Sequence, residues 1–151
     1  MKQVITQHGW CLNSKMWQNL KPKFKEDNFL WQDNDRGYFN NSVNNCKWIR
    51  NNKKDFKIII CHSLGLKLVN QEILKEASHA VLINSFFSFI PKNNRRHFII
   101  RALRKMENKL NPEEIKYLIR EFIQNAFLPN DVNIELQEIL KTNYQEINLK
   151  L

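Results

Sequence analysis

The sequence predicts an α/β fold, with a partly parallel sheet flanked by helices over residues 1–90 and helices alone over 91–151. Three observations predict it. Short β-prone runs alternate with helical periods as far as Ile83. The strongest run, Phe56-Lys57-Ile58-Ile59-Ile60, is continuous and rich in β-branched residues, as suits a parallel strand buried on both faces. From Pro91 onward no run reads as a strand. With 151 residues, 42% hydrophobic and 11% aromatic, the chain has the size of one ordinary domain and enough apolar material for a core, which excludes general disorder.

The elements follow in order. Val4-Ile5-Thr6-Gln7 is a strand that stops at His8-Gly9-Trp10. Asn13 or Ser14 caps a helix carrying Met16, Trp17 and Leu20, which Lys21-Pro22 is expected to interrupt. Phe29-Leu30-Trp31 is a second strand, running into the turn residues Asp33-Asn34-Asp35-Arg36-Gly37. The Asn-rich stretch 40–52 holds a weak helical pattern through Val43, Cys46 and Ile49. After the third strand, Leu64 to Ala77 repeats apolar residues at helical spacing, and Ala80-Val81-Leu82-Ile83 is a fourth strand. Three helices complete the reading. The first covers 92–109, with Ile99, Leu103, Met106 and Leu110 on one side. The second opens on Asn111-Pro112-Glu113-Glu114, a cap, a proline and two acids, and stops at Leu128-Pro129. The third starts at Asp131 with Val132, Leu136, Ile139 and Leu140 as its apolar face.

Several function classes are excluded at this stage. Phe56 to Cys61 and Ala80 to Ile83, the longest apolar runs, are far short of the roughly 20 residues that span a bilayer, and the start has no signal-peptide core. A cytoplasmic protein with no membrane partner is expected. Cys11, Cys46 and Cys61 are odd in number and far apart, so neither a disulfide framework nor a metal site is expected, and no cofactor is implied.

Only three glycines occur, where about ten would be average, and each follows a predicted strand at its carboxyl end. There an α/β sheet places its ligand loops. In the third instance a strand, Cys61-His62-Ser63-Leu64-Gly65 and a helix follow one another, matching the G-x-S-x-G nucleophile elbow with Cys61 in place of the first glycine. Small flanking residues allow a sharp, strained turn that exposes the Ser63 hydroxyl beside a helix amino terminus. The plainer reading is a chance serine in a strand-to-helix loop. His8-Gly9-Trp10 lies on an earlier loop of the same kind. In a serine hydrolase built this way two backbone N–H groups hold the oxyanion, and Trp10 and Leu64 would supply them. His8 itself reads as a structural loop histidine.

These residues also carry a family resemblance. HGWCLNSKMW at 8–17 resembles the H-G-W-G-L-N-x-x-x-W segment of pimeloyl-acyl-carrier-protein methyl ester esterases, which are α/β-hydrolases of biotin synthesis. CHSLGLKL at 61–68 is similar to their nucleophile elbow, and Asp35-Arg36-Gly37-Tyr38 to the D-x-x-G turn after the following strand. The likeness covers about residues 3–90, and the helices after Pro91 stand where that family has its lid. It implies an α/β-hydrolase-like sheet, Ser63 as nucleophile, the Trp10 and Leu64 N–H groups as oxyanion donors, and an ester carried on acyl-carrier protein as substrate. Leu66 stands where a second glycine is common.

The acid and base that such a site needs follow the serine in later strands, and this chain offers them no place. His79 precedes the fourth strand, remote from the elbow. His97 lies among arginines, Asp131 reads as a helix cap, and His62 would point away from Ser63. The expectation is an incomplete sheet, the front two-thirds of a hydrolase or a decayed one, with little activity.

Charge is the last signal. The chain carries 24 basic and 15 acidic side chains, net +9. Between Lys92 and Lys105 stand Arg95, Arg96, Arg101 and Arg104 and no acid. On a helical projection His97, Arg101, Arg104 and Lys105 share one face. This is either a solvated face or, as the resemblance implies, a dock for the acidic carrier protein. The rival function is a non-catalytic basic module binding nucleic acid, which the absence of an RNA-binding or helix-turn-helix motif disfavours.

Overall fold

The computed structural model describes residues 1–38, 43–49, 52, 54–111 and 113–128. The chain divides into two compact units, Met1–Phe87 and Ser88–Leu151. In the first, β1 (Lys2–Gln7), β2 (Phe29–Asn34), β3 (Phe56–His62) and β4 (His79–Ile83) form one sheet in the order β2-β1-β3-β4. Every pairing is parallel, which corrects the expected partly parallel sheet. Among the described residues the one antiparallel pairing is an isolated bridge between Asp35 and Asn44. Each of the first three strands is followed by a crossover long enough to return the chain to the same end of the sheet. From β1 the chain steps to one side to form β2, then to the other to form β3. The carboxyl ends of β1 and β3 therefore flank the place where the winding reverses, the usual position of a ligand crevice in an open α/β sheet.

The period-two alternation of the strands sorts their side chains between two faces. Ile5, Ile59 and Cys61 pack with Cys46, Val69 and Ile73 on one face, and Val4, Ile58 and Ile60 pack with Trp17 on the other. Full burial of each Val or Ile here stabilises by about 1.5–3 kcal/mol.

Local polar groups explain where helices depart from the sequence pattern. The helix expected from Asn13 or Ser14 is a 3-10 turn, Ser14–Trp17, in which Asn13 Oδ1 accepts from the Lys15 N–H at 3.0 Å. Pro22 does not end a helix. It lies in the first turn of α1 (Lys21–Glu26), where its missing N–H costs nothing. The helix expected over 64–77 is two short ones, α2 (Gly65–Leu68) and α3 (Gln71–Glu76), because Val69 is extended and Asn70 Oδ1 caps a new start by accepting from the Glu72 N–H at 2.9 Å. Residues 43–49 are not helical. Side-chain acceptors take the backbone N–H groups that a helix would use: Asn34 Oδ1 accepts from Cys46 at 2.6 Å, and Gln3 Oε1 from Ile49 at 2.8 Å.

Among the described residues strand β4 is paired along one edge, and all five of its residues are exposed, Leu82 by 49%. An apolar parallel strand in that position lacks the charges and bulges that guard sheet edges. We expect concentration-dependent association that Leu82→Lys reduces, as read by light scattering. Equal scattering from both proteins would exonerate the edge.

In the second unit α4 spans Arg96–Asn108 and α5 spans Ile115–Phe127. The start of α4 falls later than the expected residue 92, after a turn in which Asn93 Oδ1 accepts from the Arg95 N–H at 3.0 Å. α5 likewise starts later than the expected Asn111-Pro112, after a turn in which Asn111 Oδ1 accepts from the N–H groups of Glu113 and Glu114 at 3.1 and 2.9 Å. The helix expected from Asp131 lies outside the described residues. No described helix is long and apolar enough to cross a membrane.

Candidate functional site

Ser63 directly follows β3. Its φ is 52°, in the left-handed region that costs a residue with a side chain about 1–3 kcal/mol. Two hydrogen bonds to the far side hold it there: its N–H donates to Ile83 O at 3.0 Å, and its carbonyl accepts from Ser85 Oγ at 2.7 Å. The side chain is half-buried, and among the described residues its hydroxyl has no hydrogen-bond partner.

The two glycines beside Ser63 bring two loops together. A Cβ on Gly9 would lie 2.9 Å from Ser63 Cβ and 3.2 Å from His62 O. A Cβ on Gly65 would lie 2.5 Å from Gln7 O and 3.1 Å from His8 O. The bare backbone after β1 thus lets the serine turn in, and the bare first residue of α2 rests against the end of β1. Trp10 is buried in the turn after Gly9, and Leu64 is the residue before α2. The Leu64 N–H has no hydrogen-bond partner among the described residues. Because α2 is a single turn, its dipole is small, and support for an anion here falls to individual N–H groups. Cys61, in the place of the elbow's first glycine, points its side chain into the core with Ile59 and Val69, and Leu66 packs against the same cluster.

His8 is a clamp between loops. It is fully buried, with Nδ1 2.8 Å from Gly9 O and Nε2 between the Arg36 N, 3.2 Å away, and Asp35 Oδ1, 3.5 Å away. Asp35 accepts from the Gly37 N–H at 2.9 Å and from Ser14 Oγ and N–H at 3.1 and 3.3 Å. This clamp was not read from the sequence, although Asp35-Arg36-Gly37 carries the signature of an aspartate accepting from the N–H two residues on. Burial opposes the charge on Asp35, but the His8 ring and the Gly37 and Ser14 N–H groups outweigh it and hold the carboxyl at about 2. With a folded value below the ordinary 3.8, its contribution is present above pH 4 and lost as pH falls towards 2. We expect about 2 kcal/mol of acid-sensitive stability, absent in Asp35→Asn, from urea midpoints at the two ends of that range. Parallel loss in both proteins would place the acid sensitivity elsewhere.

Of the other predicted residues, His62 adjoins Ser63 in the chain and His79 belongs to the same sheet. His62 is half-buried, and its Nδ1 faces Gly9 without a hydrogen-bond partner among the described residues. Burial, with His8 nearby, pushes its pKa down. His79 opens β4 at the amino end of the sheet, about 13 Å along the strand from Ile83 at the Ser63 end. His97, Arg96, Arg101, Arg104 and Lys105 are on α4, with Arg95 just before it, all exposed in the second unit. Asp131 lies outside the described residues.

A cleft of about 530 Å³ opens between Asn34, Arg36, Trp48, Asn70 and Ile73, and one of about 470 Å³ between Ser14, Lys21, Trp31 and Asp35. Ser63 lines neither. Among the described residues no three His, Cys, Asp or Glu side chains gather to hold a metal ion. All three thiols are buried, and burial pushes Cys11 and Cys61 up to about 12 and, together with Asp33, Cys46 to about 11. Set against models of protein families the chain matches none, and comparison with curated proteins finds no match either.

Proposed function

We propose that this chain carries the nucleophile and oxyanion half of a serine carboxylic-ester hydrolase site of the α/β-hydrolase kind. One observation carries the reading: Ser63 is held at positive φ at the carboxyl end of β3, wedged against Gly9 of the loop after β1, where the winding reverses. A strained serine at such a point is the arrangement of a nucleophile elbow. Ser63 Oγ attacks the acyl carbon and its proton passes to a base. The Leu64 and Trp10 N–H groups meet the developing oxyanion. The ester C–O bond breaks, the alcohol leaves with a proton, and water then releases the acid from the acyl-serine. Among the described residues no hydrogen bond joins Ser63 Oγ to a base.

The resemblance at 8–17 and 61–68 favours a pimeloyl-type methyl ester borne on acyl-carrier protein, handled in the cytoplasm. A fluorophosphonate probe tests the reading. Slow phosphonylation, located at Ser63 by peptide mass and absent from Ser63→Ala, is expected. Labelling that persists in Ser63→Ala would end it.

A further inference from the structure

We propose that the exposed face of α4 centred on Phe98 binds the surface of an anionic lipid bilayer. The inference stands on the second unit alone and does not rest on the ester-hydrolase reading. Phe98 is 61% exposed, although a phenylalanine in a folded chain is ordinarily buried. Its helical neighbours are Arg95 at i−3, Arg101 at i+3, Ala102 at i+4 and Lys105 at i+7, all of them exposed. The half-buried residues Ile99, Leu103 and Met106 lie to one side of this face. From Lys92 to Lys105 there is no acid, and among the described residues none of Arg95, Arg96, Arg101, Arg104 and Lys105 has an ion-pair partner.

The charge selects an anionic partner, and Phe98 selects among anionic partners. A nucleic-acid duplex offers phosphates, but its bases are stacked inside and out of reach of the Phe98 ring, which lies against that of His97 with centroids 3.9 Å apart. An acidic carrier protein would be served by the arginines without it. A bilayer with anionic headgroups uses both parts: the ring enters at the acyl boundary while arginine and lysine stems reach outward to the phosphates. The apolar-run lengths that exclude a spanning helix do not bear on this. A 13-residue amphipathic helix lies in the interface plane.

The experiment is cosedimentation of the full 151-residue chain with phosphatidylcholine vesicles, with and without phosphatidylserine, each across a range of salt. Binding only where phosphatidylserine is present, weakening as salt rises, is expected. Arg101→Glu/Lys105→Glu should lower the affinity at least about 25-fold, taking each basic residue near such a surface as roughly fivefold. Phe98→Ser should lower vesicle affinity severalfold while leaving binding to a duplex oligonucleotide unchanged. Both changes are at exposed positions, and circular dichroism would verify the fold. The proposal is overturned if phosphatidylserine gives no binding, if Phe98→Ser binds as wild type does, or if acyl-carrier protein or the oligonucleotide binds more tightly than the vesicles.

Discussion

Replacing Gly65 by alanine is expected to cost about 3 kcal/mol of folding stability, a large part of what a domain of this size possesses. The new methyl carbon would stand 2.5 Å from Gln7 O, and that oxygen belongs to a central strand, not to a side chain that can swing away. β1 is hydrogen-bonded on both sides, to β2 and β3, so relief must come from lifting α2 off the sheet. Lifting it moves Ser63 and disturbs the packing of Leu66 and Val69 against the core. Urea denaturation of wild type and Gly65→Ala measures the cost. A difference under about 0.5 kcal/mol, the size of an ordinary surface substitution, would show that the close approach of α2 to β1 is not as described.

The second large effect concerns rate. The 151-residue chain is expected to hydrolyse an activated ester about 10⁴-fold to 10⁶-fold more slowly than a serine hydrolase with its base in place. Ser63 Oγ has no partner among the described residues to take its proton. His8 is engaged with Gly9 and Arg36, His79 is at the wrong end of its strand, and the Nδ1 of His62 faces Gly9 with no hydrogen bond to Ser63. With ordinary enzymes turning over at about 1–10³ s⁻¹, the expected turnover is about 10⁻¹ s⁻¹ at most and in most cases far lower. Steady-state assays with Ser63→Ala as the blank would measure it. Turnover near 1 s⁻¹ that vanishes in Ser63→Ala would mean that a base does reach Ser63 and would overturn the expectation.

The strands were legible because each is a short β-prone run ended by Gly, Asn or Asp, and the glycines were legible because there are so few. Strand direction was not: continuous apolar runs such as Phe56 to Ile60 indicate burial on both faces but do not say that every neighbour is parallel. Helix ends were misread wherever one side chain outbid a helical period, as Asn70 does between α2 and α3 and Asn34 and Gln3 do along 43–49. At the site, the S-x-G and H-G pairs indicated the turn and its partner loop. The close approach between them depends on atoms more than 50 residues apart, and the clamp of His8 on the turn after β2 depends on burial, which no local pattern encodes.

The three sealed thiols turn this protein into its own stopwatch. Cys11, Cys46 and Cys61 sit in three different parts of the first unit: the loop after β1, the strap after β2, and β3 itself. A thiol reagent meets a reactive thiolate only when the surrounding structure opens, since burial both hides each sulfur and keeps it protonated. The modification rate of each cysteine, resolved by mass spectrometry, therefore times the opening of one region with no probe introduced. If the strap lifts before the sheet parts, Cys46 is modified first and Cys61 last, and a single time course ranks the stability of the site's own walls.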